Sequence, residues 1–262
     1  MLKTFQYQSS QITYHDQGKG DPIVLLHGFG EDHFIWNQLL PILRNDFRLI
    51  LPDLPGSGLS DRIEDMSMEG MAGCLLRVLD LECPGVHRPF LIGHSMGGYI
   101  ALALAEKYPG KLAGLGLFHS TAYPDSEEKK NTRMKSMEFI RQYGSAPFIR
   151  QSTPNLFSEL FKNKQPQIVE ELTGRYASFQ PGSLLAYYEA MLKRPDRTDV
   201  LKSFPGKVLF IIGEEDPAVP LADSLKQCHL PNLSHIHIFE NTAHMGMLED
   251  PTRSISAIAD FV

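Results

Sequence analysis

Cysteine is scarce in this 262-residue chain, with only Cys74, Cys83 and Cys228, an odd number and no Cys-x-x-Cys pair. That excludes a disulfide framework and a thiolate zinc knuckle, leaving ordinary thiols. Long apolar runs are also missing, and no uninterrupted segment approaches membrane-spanning length. A surplus of basic residues is lacking, since 25 Lys and Arg face 31 Asp and Glu for a formal charge of −6. With no basic cluster on a periodic face, a nucleic-acid partner is not expected. Residues 1–11 alternate polar and apolar residues without the hydrophobic stretch of a secretory signal, so a cytoplasmic location is expected. No two histidines share a carboxylate-assisted i, i+4 helical spacing, and neither a metal nor a cofactor is expected.

A hydrophobic fraction of 42% with 21% charged residues suits a globular protein with a sizeable core. There is no internal repeat and no low-complexity tract. Thr4 to Tyr14 alternates as an antiparallel hairpin does, and Gly18 to Asp21 turns the chain into the apolar run Ile23 to Leu26. Periodicity then predicts a helix over Glu31 to Arg44, a strand over Phe47 to Leu51, a helix over Ser67 to Glu82 and a strand through Phe90 to Ile92. A further helix ends at Pro109-Gly110, and a strand covers Leu112 to Phe118. Alternation of this kind implies a parallel sheet with helices on both faces.

The next convincing strand is Val208 to Ile212, followed by a helix near Leu221 to Gln227, the strand His235 to Phe239 and a last helix over Pro251 to Val262. Residues 121–205 have helical periodicity and are too long for a structureless loop, so they are expected to fold as a cap or lid inserted into a core of residues 1–120 and 206–262. Asp125 to Tyr143, Gln167 to Phe179 and Gly182 to Lys193 are its expected helices.

Between the strand at Phe90 and the following helix stands Gly93-His94-Ser95-Met96-Gly97-Gly98. Gly-x-Ser-x-Gly arises by chance in about one chain in eight of this composition, so its surroundings decide. Here a buried-type strand precedes it and an apolar helix follows, the setting of a nucleophile elbow. A serine hydroxyl needs a histidine to take its proton and a carboxylate to fix the histidine's tautomer. His244 and Asp216 each lie just beyond a predicted strand, at the sheet edge where Ser95 also falls. Glu214, Glu215 and Asp223 are alternative acids. His27, His94, His119, His235 and His237 are read as structural, and Asp53 as a local cap.

These residues, in the order Ser, Asp, His, together with His27-Gly28-Phe29-Gly30 and Asp53-Leu54-Pro55-Gly56-Ser57-Gly58, resemble the α/β-hydrolase family, in particular its capped members, over nearly the whole chain. The resemblance implies an α/β fold with a mostly parallel central sheet, a Ser95–Asp216–His244 triad and an oxyanion hole from the backbone N–H groups of Phe29 and Met96. It favours Asp216 as the acid, because it precedes Pro217 in the turn the family uses. Phe29, Met96 and Met245 are expected to line the substrate pocket.

Serine at the elbow, where relatives that open epoxides or displace halide carry aspartate, points to acyl chemistry on a small-molecule substrate. The default is an apolar ester, although Arg133, Arg141, Arg150, Arg175 or Arg194 could receive a carboxylate. Carbon-carbon bond hydrolases, enol-lactone hydrolases and a menaquinone-pathway lyase share the motifs. A small-molecule receptor that retains the triad is the alternative of another class.

Overall fold

The computed structural model describes residues 1–85 and 88–262. Eight strands form one sheet: β1 (Leu2–Tyr7), β2 (Ser10–Gly18), β3 (Asp21–Leu26), β4 (Phe47–Pro52), β5 (Phe90–His94), β6 (Gly114–Phe118), β7 (Lys207–Gly213) and β8 (Ser234–Phe239). Their spatial order is β1-β2-β4-β3-β5-β6-β7-β8, with β1 and β2 antiparallel to their neighbours and the remaining strands parallel. Sequence pattern tracks position: every residue of β5 and β6 is buried, as continuous apolar strands must be when both faces are covered, whereas the edge strand β1 alternates.

The helices of the core are α1 (Leu40–Leu43), α2 (Met68–Glu82) and α3 (Met96–Lys107). Between β6 and β7 the chain is helical: α4 (Glu127–Tyr143), α5 (Ser145–Ser152), α6 (Glu159–Lys164), α7 (Pro166–Tyr176), α8 (Pro181–Lys193) and α9 (Thr198–Ser203). After β7 come α10 (Leu221–Gln227), α11 (Gly246–Glu249) and α12 (Pro251–Phe261). Helices cover both faces of the sheet, α2 packing beside α3 and α12 beside α1. Among the described residues, no helix is long and apolar enough to cross a membrane.

One expected helix is broken. In place of a helix over Glu31 to Arg44 the chain makes a 3-10 turn at His33–Trp36 and then the single turn α1. Asp32 caps the 3-10 turn by accepting the Phe34 N–H at 2.9 Å. Pro41, lacking an N–H and crowding the carbonyl four residues back, can only begin a new helix. Glu31 is diverted inward, as described below.

The segment between β6 and β7 is fastened to the core by polar side chains. The Tyr187 hydroxyl donates to the Pro55 carbonyl at 2.6 Å and lies 2.8 Å from Ser57 Oγ. Asp32 accepts from the Tyr176 hydroxyl at 2.9 Å and pairs with Arg175 at 2.7 Å. Arg133 and Arg194 share buried Asp125. Three of the arginines considered as carboxylate receptors are thus already paired, Arg141 is exposed and lies 3.9 Å from Glu189, and Arg150 is exposed.

Candidate active site

Ser95 joins β5 to α3 with φ 50° and ψ −115°, a left-handed conformation that costs a non-glycine residue about 1–3 kcal/mol. The turn is tight enough that a Cβ on Gly93 would lie 2.3 Å from the Gly97 carbonyl carbon, and one on Gly97 would lie 2.5 Å from the His27 oxygen. Gly93→Ala is therefore expected to cost about 3 kcal/mol in urea unfolding, because backbone rather than a movable side chain meets the new methyl.

Ser95, Asp216 and His244 follow the carboxyl ends of β5, β7 and β8 respectively, so topology alone brings them to one edge. The contacts are specific. His244 Nδ1 lies 2.8 Å from Asp216 Oδ2 and 3.0 Å from Oδ1. Asp216 Oδ1 also accepts the backbone N–H groups of Ala218 and Val219, each at 2.8 Å. Glu214 and Glu215 point into solvent, and Asp223 pairs with Lys226, so only Asp216 among the candidate acids reaches the histidine.

Burial disfavours a charged Asp216, but His244 and His119 outweigh it and hold the carboxyl well below its ordinary range. Burial likewise opposes charge on His244, yet the Asp216 carboxylate prevails and raises the imidazole above its ordinary 6.5. A base must be neutral to accept a proton. Hydrolysis should accordingly fall as pH drops through the raised value, and the acid limb of kcat/KM is expected to have its midpoint above about 6.5. A pH–rate profile from 5 to 9 checks this.

The loop His27–Gly30 adjoins Ser95, for a Cβ on Gly28 would lie 3.2 Å from Ser95 Cβ. Met96 occupies the first position of α3, where a helix N–H has no intrahelical acceptor. The Phe29 N–H has no protein acceptor among the described residues. The Phe29 ring stacks on Tyr188 at 4.3 Å and meets Phe148 edge-on at 6.2 Å, so helices α5 and α8 roof the loop. Of the three expected pocket residues Phe29 is half-buried, whereas Met96 and Met245 have no exposed surface.

Two histidines read as structural are tied directly to this site. His94 Nε2 donates to the His244 carbonyl at 3.0 Å, while its Nδ1 lies 3.1 Å from Glu31 Oε2. Glu31 Oε2 also accepts the Gly28 N–H at 2.6 Å, so one buried carboxylate joins the Gly28 loop to the elbow. His119, just past β6, reaches Asp216 Oδ2 at 3.2 Å. The sequence did carry a signal for His119, because it ends a strand at the same edge as the triad. Glu31 carried none, as its role depends on leaving the expected helix. His27 does hold its loop, with Nε2 accepting the Leu54 N–H at 2.9 Å and Nδ1 2.9 Å from the Gly28 carbonyl. Asp53 accepts the N–H groups of His33 and Leu59, as a local cap should.

His119, Asp216 and His244 also have nitrogen and oxygen atoms close enough together to hold a metal ion. Yet donors already face acceptors across the cluster, and Asp216 Oδ1 is engaged by backbone N–H groups. Asp216 is the shared acceptor of the two histidines.

The mostly parallel sheet is that of a known class of hydrolases, and residues 21–251 match the alpha/beta hydrolase fold family. The chain belongs to that family. It is 30% identical to a pimeloyl-[acyl-carrier protein] methyl ester esterase of Methylococcus capsulatus, covering 94% of this chain and 96% of the relative. It is 28% identical to a 2-hydroxymuconate semialdehyde hydrolase of Pseudomonas sp. strain CF600, over 95% of this chain and 89% of that one. Among solved structures, a thermophilic esterase from Thermogutta terrifontis, bound to malate, superposes with a TM-score of 0.89 at 32% identity, covering 99% and 96% of the two chains.

Proposed function

We propose that the protein is a serine esterase that cleaves a small ester through an acyl-enzyme, with Ser95 as nucleophile, His244 as base and Asp216 as the residue that orients it. The observation that carries this reading is the Asp216–His244 pair at 2.8 Å, at the same sheet edge as a serine held in a left-handed elbow. Asp216 keeps the His244 proton on Nδ1 and leaves the Nε2 lone pair for the Ser95 hydroxyl. Attack on the ester carbonyl puts negative charge on its oxygen, which the N–H groups of Phe29 and Met96 would receive. His244 then protonates the departing alkoxide. Water, deprotonated by the same histidine, releases the acid and restores Ser95.

Residues 121–205 serve in this reading as the cap that shapes the pocket. A groove of about 420 Å³ at α4 and α5 is lined by Lys135, Ser136, Phe139, Phe148, Gln151 and Asn155, and its lining includes none of Ser95, Asp216 and His244. Free thiols and a charge of −6 fit a cytoplasmic enzyme that does not act on nucleic acid.

The relatives support the ester reading through the esterases and a second reading through the carbon-carbon bond hydrolase. Multiple-turnover hydrolysis of p-nitrophenyl esters of graded acyl length tests the first. Rapid turnover of a short-chain ester supports it. Acylation that stops after one equivalent, or turnover of a vinylogous 1,5-diketone alone, overturns it.

A further inference from the structure

We propose that His119 is a positioning residue of the site, a second imidazole that donates from Nδ1 to Asp216 Oδ2 and holds the carboxylate in the orientation His244 requires. The inference rests on the roles given above to Asp216 and His244.

His119 is buried, and its ring nitrogens meet three groups: Asp216 Oδ2 and the Gly213 N–H, both 3.2 Å from Nδ1, and the Gly246 N–H, 3.2 Å from Nε2. Burial drives its pKa down to about 4, so the ring is neutral and carries one proton. Only two placements of that proton exist. On Nε2 it would face the Gly246 N–H, donor against donor, and the bare Nδ1 would accept from the Gly213 N–H but meet the Asp216 carboxylate lone pair to lone pair. On Nδ1 it points at Asp216 while Nε2 accepts from Gly246, which satisfies two of the three contacts and both of the strongest demands. The Gly213 N–H, also directed at Nδ1, is the one contact this tautomer leaves opposed.

The surroundings are built for this ring. His119 adopts φ 49°, an uncommon backbone conformation for a residue other than glycine. Residue 246 must be glycine to admit it, for a Cβ there would lie 2.4 Å from Nε2. Asp216 consequently receives four donors, the N–H groups of Ala218 and Val219 on Oδ1 and two imidazoles on Oδ2. With both oxygens anchored the carboxylate cannot swing, and its basicity is reduced. Proton exchange between Asp216 and the imidazolium formed at His244 is thereby resisted.

The groups that face His119 are Asp216, His244 and His94, and those that act on His244 further include Glu31 and Glu249. Removing the His119 donor leaves Asp216 more basic, so it holds the protonated His244 more firmly. His119→Phe, which keeps a ring without an N–H, is expected to lower kcat about tenfold with little change in KM, the worth of one hydrogen bond to a charged group. The acid limb of its pH profile should move to higher pH. His119→Asn, whose Nδ2 falls where Nδ1 was and whose backbone tolerates the left-handed region, should restore both.

A measurement on the parent protein does not depend on the variants folding. Nitrogen-15 NMR of histidine-labelled protein should show His119 as the neutral Nδ1–H form, with a low-field proton that shifts in Asp216→Asn. The Nε2–H form, or a His119→Phe profile that overlays the parent in kcat and acid limb, overturns the proposal. Failure of the underlying catalytic reading looks different: Ser95→Ala would keep parental hydrolysis whatever tautomer His119 adopts.

Discussion

Ser95→Ala is expected to reduce kcat for p-nitrophenyl acetate by about 10⁵-fold or more, with the fold unchanged. The size of the loss follows from position. Ser95 holds a strained backbone in a turn that two glycines permit, and its side chain makes no capping bond to α3. Its hydroxyl contributes nothing to the helix that follows, so alanine removes chemistry while leaving the packing of α3 in place. Unfolding free energy should change by no more than about 1 kcal/mol, as alanine occupies the same left-handed position at similar cost. A variant that loses activity and stability together would instead assign Ser95 a structural role.

Asp216→Asn should lower kcat about 10⁴-fold, for a reason legible in the donors around it. Ala218 and Val219 present N–H groups to one oxygen and would keep the carboxamide oxygen there. The amide nitrogen then stands where Oδ2 was, facing the ring nitrogens of His244 and His119. His244 can accommodate an N–H donor only by moving its own proton to Nε2, which turns a donor toward Ser95 and removes the base. The carboxylate that lifts the His244 pKa is lost too, so residual activity should extend to lower pH than in the parent. Steady-state rates from pH 5 to 9 measure both effects.

Much of this arrangement was legible in the sequence because turns with unusual backbone demands leave unusual residues. Gly93, Ser95 and Gly97 mark the elbow, and Asp216-Pro217 and His244-Met245-Gly246 mark turns after strands whose apolar runs are unmistakable. The edge hairpin was equally plain, since one wet face imposes alternation. What escaped depends on contacts between distant residues. Glu31 sits in a stretch with helical periodicity, and only burial against His94 and Gly28 shows why it leaves that pattern. Helices α5, α6 and α9 have eight, six and six residues, too few turns for periodicity to stand out, the first two set between Gly144, Pro154 and Pro166. His119 lay at the right edge, but its partner was 97 positions away.

The central claim is that Ser95 is the nucleophile of an acyl-transfer reaction, and stoichiometric labelling tests it most directly. The protein is treated with an alkyl fluorophosphonate at pH 7.5, and residual esterase activity and the modified peptide are measured on the same sample. The account predicts one adduct per chain, on the peptide bearing Ser95, with activity lost in proportion to labelling. An adduct on any other residue, or full activity in protein labelled at Ser95, would contradict it.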